Sequence, residues 1–177
     1  TGIRVISSVH SGCTQKSVEE ADIVQAHYTE LQKQQFQDVD SNGALLSPAR
    51  VTEKEILVVT PYNVQVNHLT NTLSEESEDP KVGTVDKFQG QEAQIVLVSM
   101  VTSTSEDMPR NMGFLYSMNR LNVALSRAKC LAVVVLNPEL LSASCRTIAQ
   151  MKLVNSFCWL RQYSDISAIA VAAPTTN

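Results

Sequence analysis

The stretch Ile56-Leu-Val-Val-Thr-Pro-Tyr-Asn-Val-Gln-Val-Asn-His-Leu69 changes structural period at its proline. Before Pro61, Ile56 to Thr60 is a short apolar run, the pattern of a strand buried on both faces of a parallel sheet. After it, Val66, Leu69 and Leu73 recur at helical spacing and give the next segment one apolar stripe. A strand that hands over to a helix in this way is half of a βαβ unit. The same alternation continues outward on both sides. Ile3 to Val9 reads as a β-branched strand. Ser17-x-x-Glu20 is a capping box that opens an amphipathic helix from Val18 to about Gln35, with Ala21, Val24, Tyr28 and Leu31 on its inner face. Val82 to Val85, Ile95 to Val101 and Leu131 to Leu136 are three more apolar strands, the last stopped by Asn137-Pro138. Leu121 and Leu125 mark a helix expected to run to about Lys129. A final helix is expected from Thr147 to about Tyr163, with Ile148, Met151, Val154 and Cys158 on one face. Asp38 to Ser47, Ser74 to Pro80 and Thr102 to Met112 read as loops, and residues 164–177 as a tail that frays. Five strands alternating with helices predict a single α/β domain over 1–177 with a mainly parallel sheet.

Composition narrows the function. The chain has 177 residues, 44% hydrophobic and 18% charged, too apolar for disorder. Its net charge of −4 and pI of about 5.3 argue against a protein that coats polyanions, while leaving room for a local basic site. The acidic excess falls within residues 1–80; residues 81–177 carry a slight basic excess. Cys13, Cys130, Cys145 and Cys158 have no C-x-x-C spacing, and His10, His27 and His68 form no ligand pattern, so no metal site is expected. No run approaches the length of a membrane span, and a reducing, cytoplasmic setting is expected. The opening Thr-Gly-Ile-Arg starts almost directly in a strand, as a piece of a longer protein would.

In open α/β sheets, ligands sit beyond the carboxyl ends of the strands. Three polar clusters are expected to converge there: Pro61 to Gln65, Asp86 to Glu92, and Ser126 to Lys129. No G-x-x-x-x-G-K-[ST] loop occurs; Gly12-Cys-Thr-Gln-Lys-Ser17 lacks the second glycine. In Val82-Gly-Thr-Val-Asp-Lys-Phe-Gln-Gly-Gln-Glu92, Gly90 lets backbone approach a ligand. Gln and Glu side chains can accept from ribose hydroxyls, and Thr84 and Lys87 can contact phosphates; a plain polar turn is the alternative. In Asn119-Arg-Leu-Asn-Val-Ala-Leu-Ser-Arg-Ala-Lys129, Arg120 and Arg127 are two helical turns apart and could project from one side. Either can stabilise a transferring phosphoryl group or be an ordinary surface charge. Tyr62 can stack on a nucleobase or sit in the core. Glu53-Lys-Glu55 offers two carboxylates without the partners a nuclease centre needs.

Taken in order, VVTPYNVQVNHL, VGTVDKFQGQEAQIVLVSMV and GFLYSMNRLNVALSRAKCLAVVV resemble motifs IV, V and VI of superfamily 1 helicases. The branch they resemble includes the nonsense-mediated-decay RNA helicases and the replication nuclease–helicases. VHSGCTQKSVEEADIV and CRTIAQMKLVNSFC are similar to segments of bacterial fusions of an N-terminal RecB-like nuclease with a C-terminal helicase. The resemblance implies a three-layer RecA-like domain of the P-loop NTPase type without its own P-loop, the second of two that sandwich ATP. It implies that a first RecA-like domain supplies the phosphate loop and the acidic Mg²⁺ site. Carried over by motif, Tyr62 packs on adenine and Gln65 lies near the nucleotide. Gly90 and Glu92 meet ribose and phosphate, and Arg127 is the arginine finger. Thr84 and Asp86, with Lys87 beside them, face the single strand, while Arg120 and Lys129 are supporting cations. Some relatives carry an arginine four residues beyond the tyrosine; Val66 stands there. Single-stranded DNA, in a DNA-repair setting, is the expected partner, with RNA left open. The isolated chain is expected to be inactive. The competing reading is a non-catalytic nucleic-acid-binding or scaffold module that kept the helicase fold.

Overall fold

The computed structural model describes residues 2–88, 90–108 and 112–172, with backbone alone at 118 and 166–172. Five strands form one parallel sheet in the order β1-β7-β6-β4-β5: β1 (Gly2–Ser7), β4 (Ile56–Val59), β5 (Val82–Gly83), β6 (Ala93–Ser99) and β7 (Ala128–Leu136). The central strands β4 and β6 are buried along their whole length, as the continuous apolar runs predict. Alternate side chains part into two cores. Ile56, Val58, Ile95, Leu97, Val133 and Val135 point to one face, covered by α1 (Val18–Leu31) and α2 (Asn63–Leu73). Leu57, Val59, Val96, Val98, Val134 and Leu136 point to the other. That second face is covered by α3 (Met112–Leu115), α4 (Met118–Leu125), α5 (Ile148–Ala172) and two 3-10 turns, Val85–Phe88 and Pro138–Ser142. The three-layer α/β expectation holds.

Several boundaries differ from the sequence reading. α1 stops at Leu31 rather than near Gln35, and the loop expected over Asp38 to Ser47 is flanked by a small hairpin, β2 (Gln35–Phe36) with β3 (Ala49–Arg50), and holds a bridge between Val39 and Leu45. α4 ends at Leu125 rather than near Lys129, because the Ser126 amide closes the helix on Ala124 and Asn122 and β7 begins at Ala128. α5 runs on to Ala172, so most of the expected tail is helical; residues 173–177 lie outside the described residues, as do 109–111 of the loop before α3. Its buried stripe is Val154, Phe157 and Leu160, whereas Ile148 and Met151 are exposed. The stripe follows Phe157, whose ring meets Tyr116 edge-on at 5.0 Å and 82°. The Tyr116 hydroxyl donates to Leu140 O at 2.6 Å, and burial pushes that phenol's pKa well up. α5 also covers the sheet edge: Ser164 Oγ accepts the Val5 N–H at 2.9 Å.

Candidate functional site

Because all five strands are parallel, the sheet has two chemically distinct edges. At the carboxyl edge a cleft of about 350 Å³ is lined by Thr60, Tyr62, Thr84, Asp86, Phe114 and Arg120, among others. Tyr62 is where α2 begins, in extended backbone (φ −122°, ψ 132°) that carries the chain off the end of β4. Its ring is 5% exposed and lies 5.7 Å from that of Phe114, at 33°. The Arg120 guanidinium sits 4.3 Å from the Phe114 centroid, a cation–π arrangement on the first turn of α4. Thr60 Oγ1 is buried beside the cleft without a hydrogen-bond partner. An unmet buried hydroxyl costs about 1–3 kcal/mol, a penalty that a polar ligand reaching Thr60 relieves.

The amino edge holds Gly90, Glu92, Arg127 and Lys129. Gly90 takes φ +81°, which L side chains rarely adopt, and turns the chain toward β6; the space where a Cβ would stand is open, so conformation alone requires glycine. Arg127 follows the end of α4. Its carbonyl accepts the Ala93 N–H at 2.9 Å, fixing the residue to the start of β6. Its Nε is buried without a partner, and among the described residues its guanidinium makes no ion pair. Glu92 and Lys129 approach to 3.7 Å, both about half exposed, a contact that contributes little. The hairpin lies close by: Asp38 accepts from Gln94 Nε2 at 3.1 Å. The Val39 amide, then Gln94, and last the Lys129 charge hold the Asp38 carboxyl below the usual carboxylate range.

The expected convergence at one edge therefore fails. Ser126 and Arg127 precede β7, Lys129 is its second residue, and Glu92 precedes β6, so all of them stand at the amino edge, as parallel strand direction requires. The length of β6, six steps of about 3.3 Å, puts about 20 Å between the edges. Tyr62, at the carboxyl edge, and Glu92, at the amino edge, therefore stand toward opposite ends of the strands. Arg120 lines the carboxyl-edge cleft from the first turn of α4, whereas Arg127, just past the end of that helix, is bonded to Ala93 at the start of β6. Residues 84–88 leave the carboxyl edge on the second face and 90–92 stand at the amino edge; Gln89 lies outside the described residues.

Two further expectations meet structural uses. Gln65 is fully buried: Oε1 accepts the Ser17 N–H at 3.0 Å and Nε2 donates to Ser17 O at 2.9 Å, so it ties α2 to the cap of α1 and is out of a nucleotide's reach. Lys87 Nζ donates to Val82 O at 2.8 Å, folding its chain back over Gly83 and away from the cleft. Glu53 accepts from Ser77 Oγ, and Glu55 completes a capping box with Thr52; both carboxylates serve local structure. Phe114 and Thr60 were not singled out from the sequence, and only their places within the quoted motifs pointed to them. Among the described residues no group of three His, Cys, Asp or Glu is arranged to hold a metal ion, and no helix is long and apolar enough to cross a membrane.

The AAA domain family profile matches residues 7–139. The chain is 38% identical over 114 residues to "Probable RNA helicase armi" of Drosophila melanogaster, covering 62% of this chain and 10% of that protein. It is 42% identical over 107 residues to "Putative helicase MOV-10" of Gallus gallus, covering 52% of this chain and 11% of that one. With "DNA polymerase alpha-associated DNA helicase A" of Saccharomyces cerevisiae it shares 36% identity over 129 residues, 72% of this chain and 18% of that protein. The chain thus spans under a fifth of the length of these relatives.

Proposed function

Since the chain belongs to the AAA domain family, as a helicase-type α/β domain, we propose that it is the second RecA-like half of an ATP-driven nucleic-acid motor. One observation carries the reading: Arg127 is fixed by backbone hydrogen bonds at the amino edge, yet its side chain has an unpartnered Nε and no ion pair among the described residues. Such a group suits an arginine finger, which meets charge that develops on a transferring phosphoryl group. Gly90 and Glu92 beside it meet ribose and phosphate, and Lys129 supports them. The phosphate loop and the acids that hold Mg²⁺ belong to a first RecA-like domain elsewhere in the same protein.

The carboxyl-edge cleft takes the single strand. Thr84 and Asp86 keep the role implied by their motif, and Tyr62 joins them instead of the adenine. Tyr62, Phe114 and Arg120 offer aromatic and cationic surface for bases and phosphates. Single-stranded DNA is the proposed substrate and RNA its competitor, with relatives named as helicases of both kinds. A fused RecB-like nuclease rests on sequence resemblance alone. The test is steady-state ATPase of the full-length protein and of the 177-residue chain, each with and without DNA or RNA single strands. Strand-stimulated turnover in the full-length protein alone is expected. Turnover of several per second by the chain itself would refute the half-site reading, since a complete phosphate cradle would then be present in it.

A further inference from the structure

Val101 follows β6 with φ +73° and is fully buried; among the described residues it alone, glycine apart, has positive φ. For a β-branched residue this conformation is an outlier that its surroundings must enforce. Thr102 N–H donates to Met100 O at 2.8 Å, so the turn is a one-residue γ-turn of the strained kind. The group that holds it is Glu20, fully buried on the first turn of α1. Glu20 Oε2 accepts the Val101 N–H at 2.8 Å and the Ser99 hydroxyl at 2.6 Å, and Oε1 lies 3.1 Å from His10 Nε2. His10 Nδ1 lies 2.7 Å from Ser103 Oγ, which also accepts the Cys13 N–H at 2.9 Å. One proton arrangement satisfies every member: a Glu20 carboxylate, Nε2–H on His10, and the Ser103 hydroxyl donating to Nδ1. Beyond the turn, Ser103 N–H donates to Cys13 O at 2.9 Å and Thr102 Oγ1 to Thr14 O at 3.0 Å. The next residue on that side is Gln15, and the residue before the turn is Met100; both line the carboxyl-edge cleft.

We propose that Glu20 is a positioning residue for the strand cleft: its carboxylate holds Val101 in the left-handed turn, and that turn sets Met100 and Gln15 against a bound single strand. The strain explains why a charge is buried here. A neutral acceptor binds donors less strongly than a carboxylate, and this turn needs a strong one. The proposal rests on the cleft taking nucleic acid, as argued above.

The test is a double-mutant cycle in the full-length protein, read as equilibrium affinity for a labelled oligothymidylate. Measurements are made at a temperature where circular dichroism shows every variant fully folded. Glu20→Gln should weaken binding about tenfold, the scale of one charge-assisted hydrogen bond. Val101→Gly supplies the reference for the cycle, because glycine adopts this φ without help. The double variant should bind within about threefold of Val101→Gly alone, since the turn then needs no carboxylate to hold it. If the double variant stays about tenfold weaker than Val101→Gly, Glu20 serves stability alone and the proposal fails. If Glu20→Gln binds normally, it also fails. If the unmodified protein binds no strand, the functional reading falls first and takes this inference with it.

Discussion

Replacing Arg127 with alanine should separate catalysis from stability, because this side chain contributes little to the fold. Its backbone bonds, to Ala124 O and from Ala93 N–H, survive the change. What is lost is the packing of a partly exposed stem, at about 0.8 kcal/mol for each fully buried methylene. What is relieved is a buried, unpartnered Nε–H, which costs about 1–3 kcal/mol. These terms oppose each other, so stability should move by no more than about 1 kcal/mol. An arginine finger is worth about 10³ to 10⁵ in turnover, or about 4–7 kcal/mol of barrier. The assay pairs denaturant unfolding with steady-state ATPase of the full-length protein at saturating strand. kcat should collapse while the midpoint hardly moves, and Arg127→Lys should rescue little, because ammonium lacks the planar fork. Turnover within about threefold of the unmodified protein, or a stability loss above about 2 kcal/mol, would refute the assignment and return Arg127 to a structural role.

Arg120→Ala should do the opposite: strand affinity should fall about tenfold, with a shallower salt dependence, while ATP turnover at saturating strand stays within a few fold. Fluorescence anisotropy across a salt series checks it, and an unchanged affinity would remove Arg120 from the strand cleft. His68 is half-buried with an unpartnered Nε2, and burial, then the Lys16 charge, lowers its pKa below 6.5. Protonation therefore favours the unfolded chain, so this group leaves stability untouched above about pH 6.5 and erodes it as pH falls below that value. His68→Gln should lessen the loss of stability between pH 7.5 and 5 in urea titrations, and an unchanged slope would contradict the assignment.

The strands were legible because two-sided burial demands unbroken apolar runs, and Ile56–Val59 and Ala93–Ser99 have them. The three layers follow from that pattern and needed no knowledge of any distant contact. The site was harder to read because motif order along a chain does not say which end of a strand a residue occupies. Asp86 and Glu92 are six residues apart and fall at opposite edges, and only strand direction reveals it. Glu20 looked like half of a capping box, and the structure uses half of that: Ser17 Oγ accepts the Glu20 N–H, while the carboxylate turns inward to Val101. α5 was misread for a related reason. Ile148 and Met151 fit a helical stripe as well as Phe157 does, and only the position of Tyr116 decides which stripe is covered.

The hydrogen bond from Val5 N–H to Ser164 Oγ bears on what the outer edge of β1 can pair with. β1 pairs on one side only, with β7, and an open strand edge is a template on which another chain can nucleate. α5 lies against that edge, and Arg161 adds a clasp to Ser7 Oγ at 2.7 Å. At the opposite edge β5 is two residues long and offers little to template on. A chain shortened to end before Leu160 would lose both clasps and bare the β1 ladder. Its failure would then show as intermolecular sheet growth, visible as thioflavin fluorescence and light scattering, well before the parallel core itself came apart.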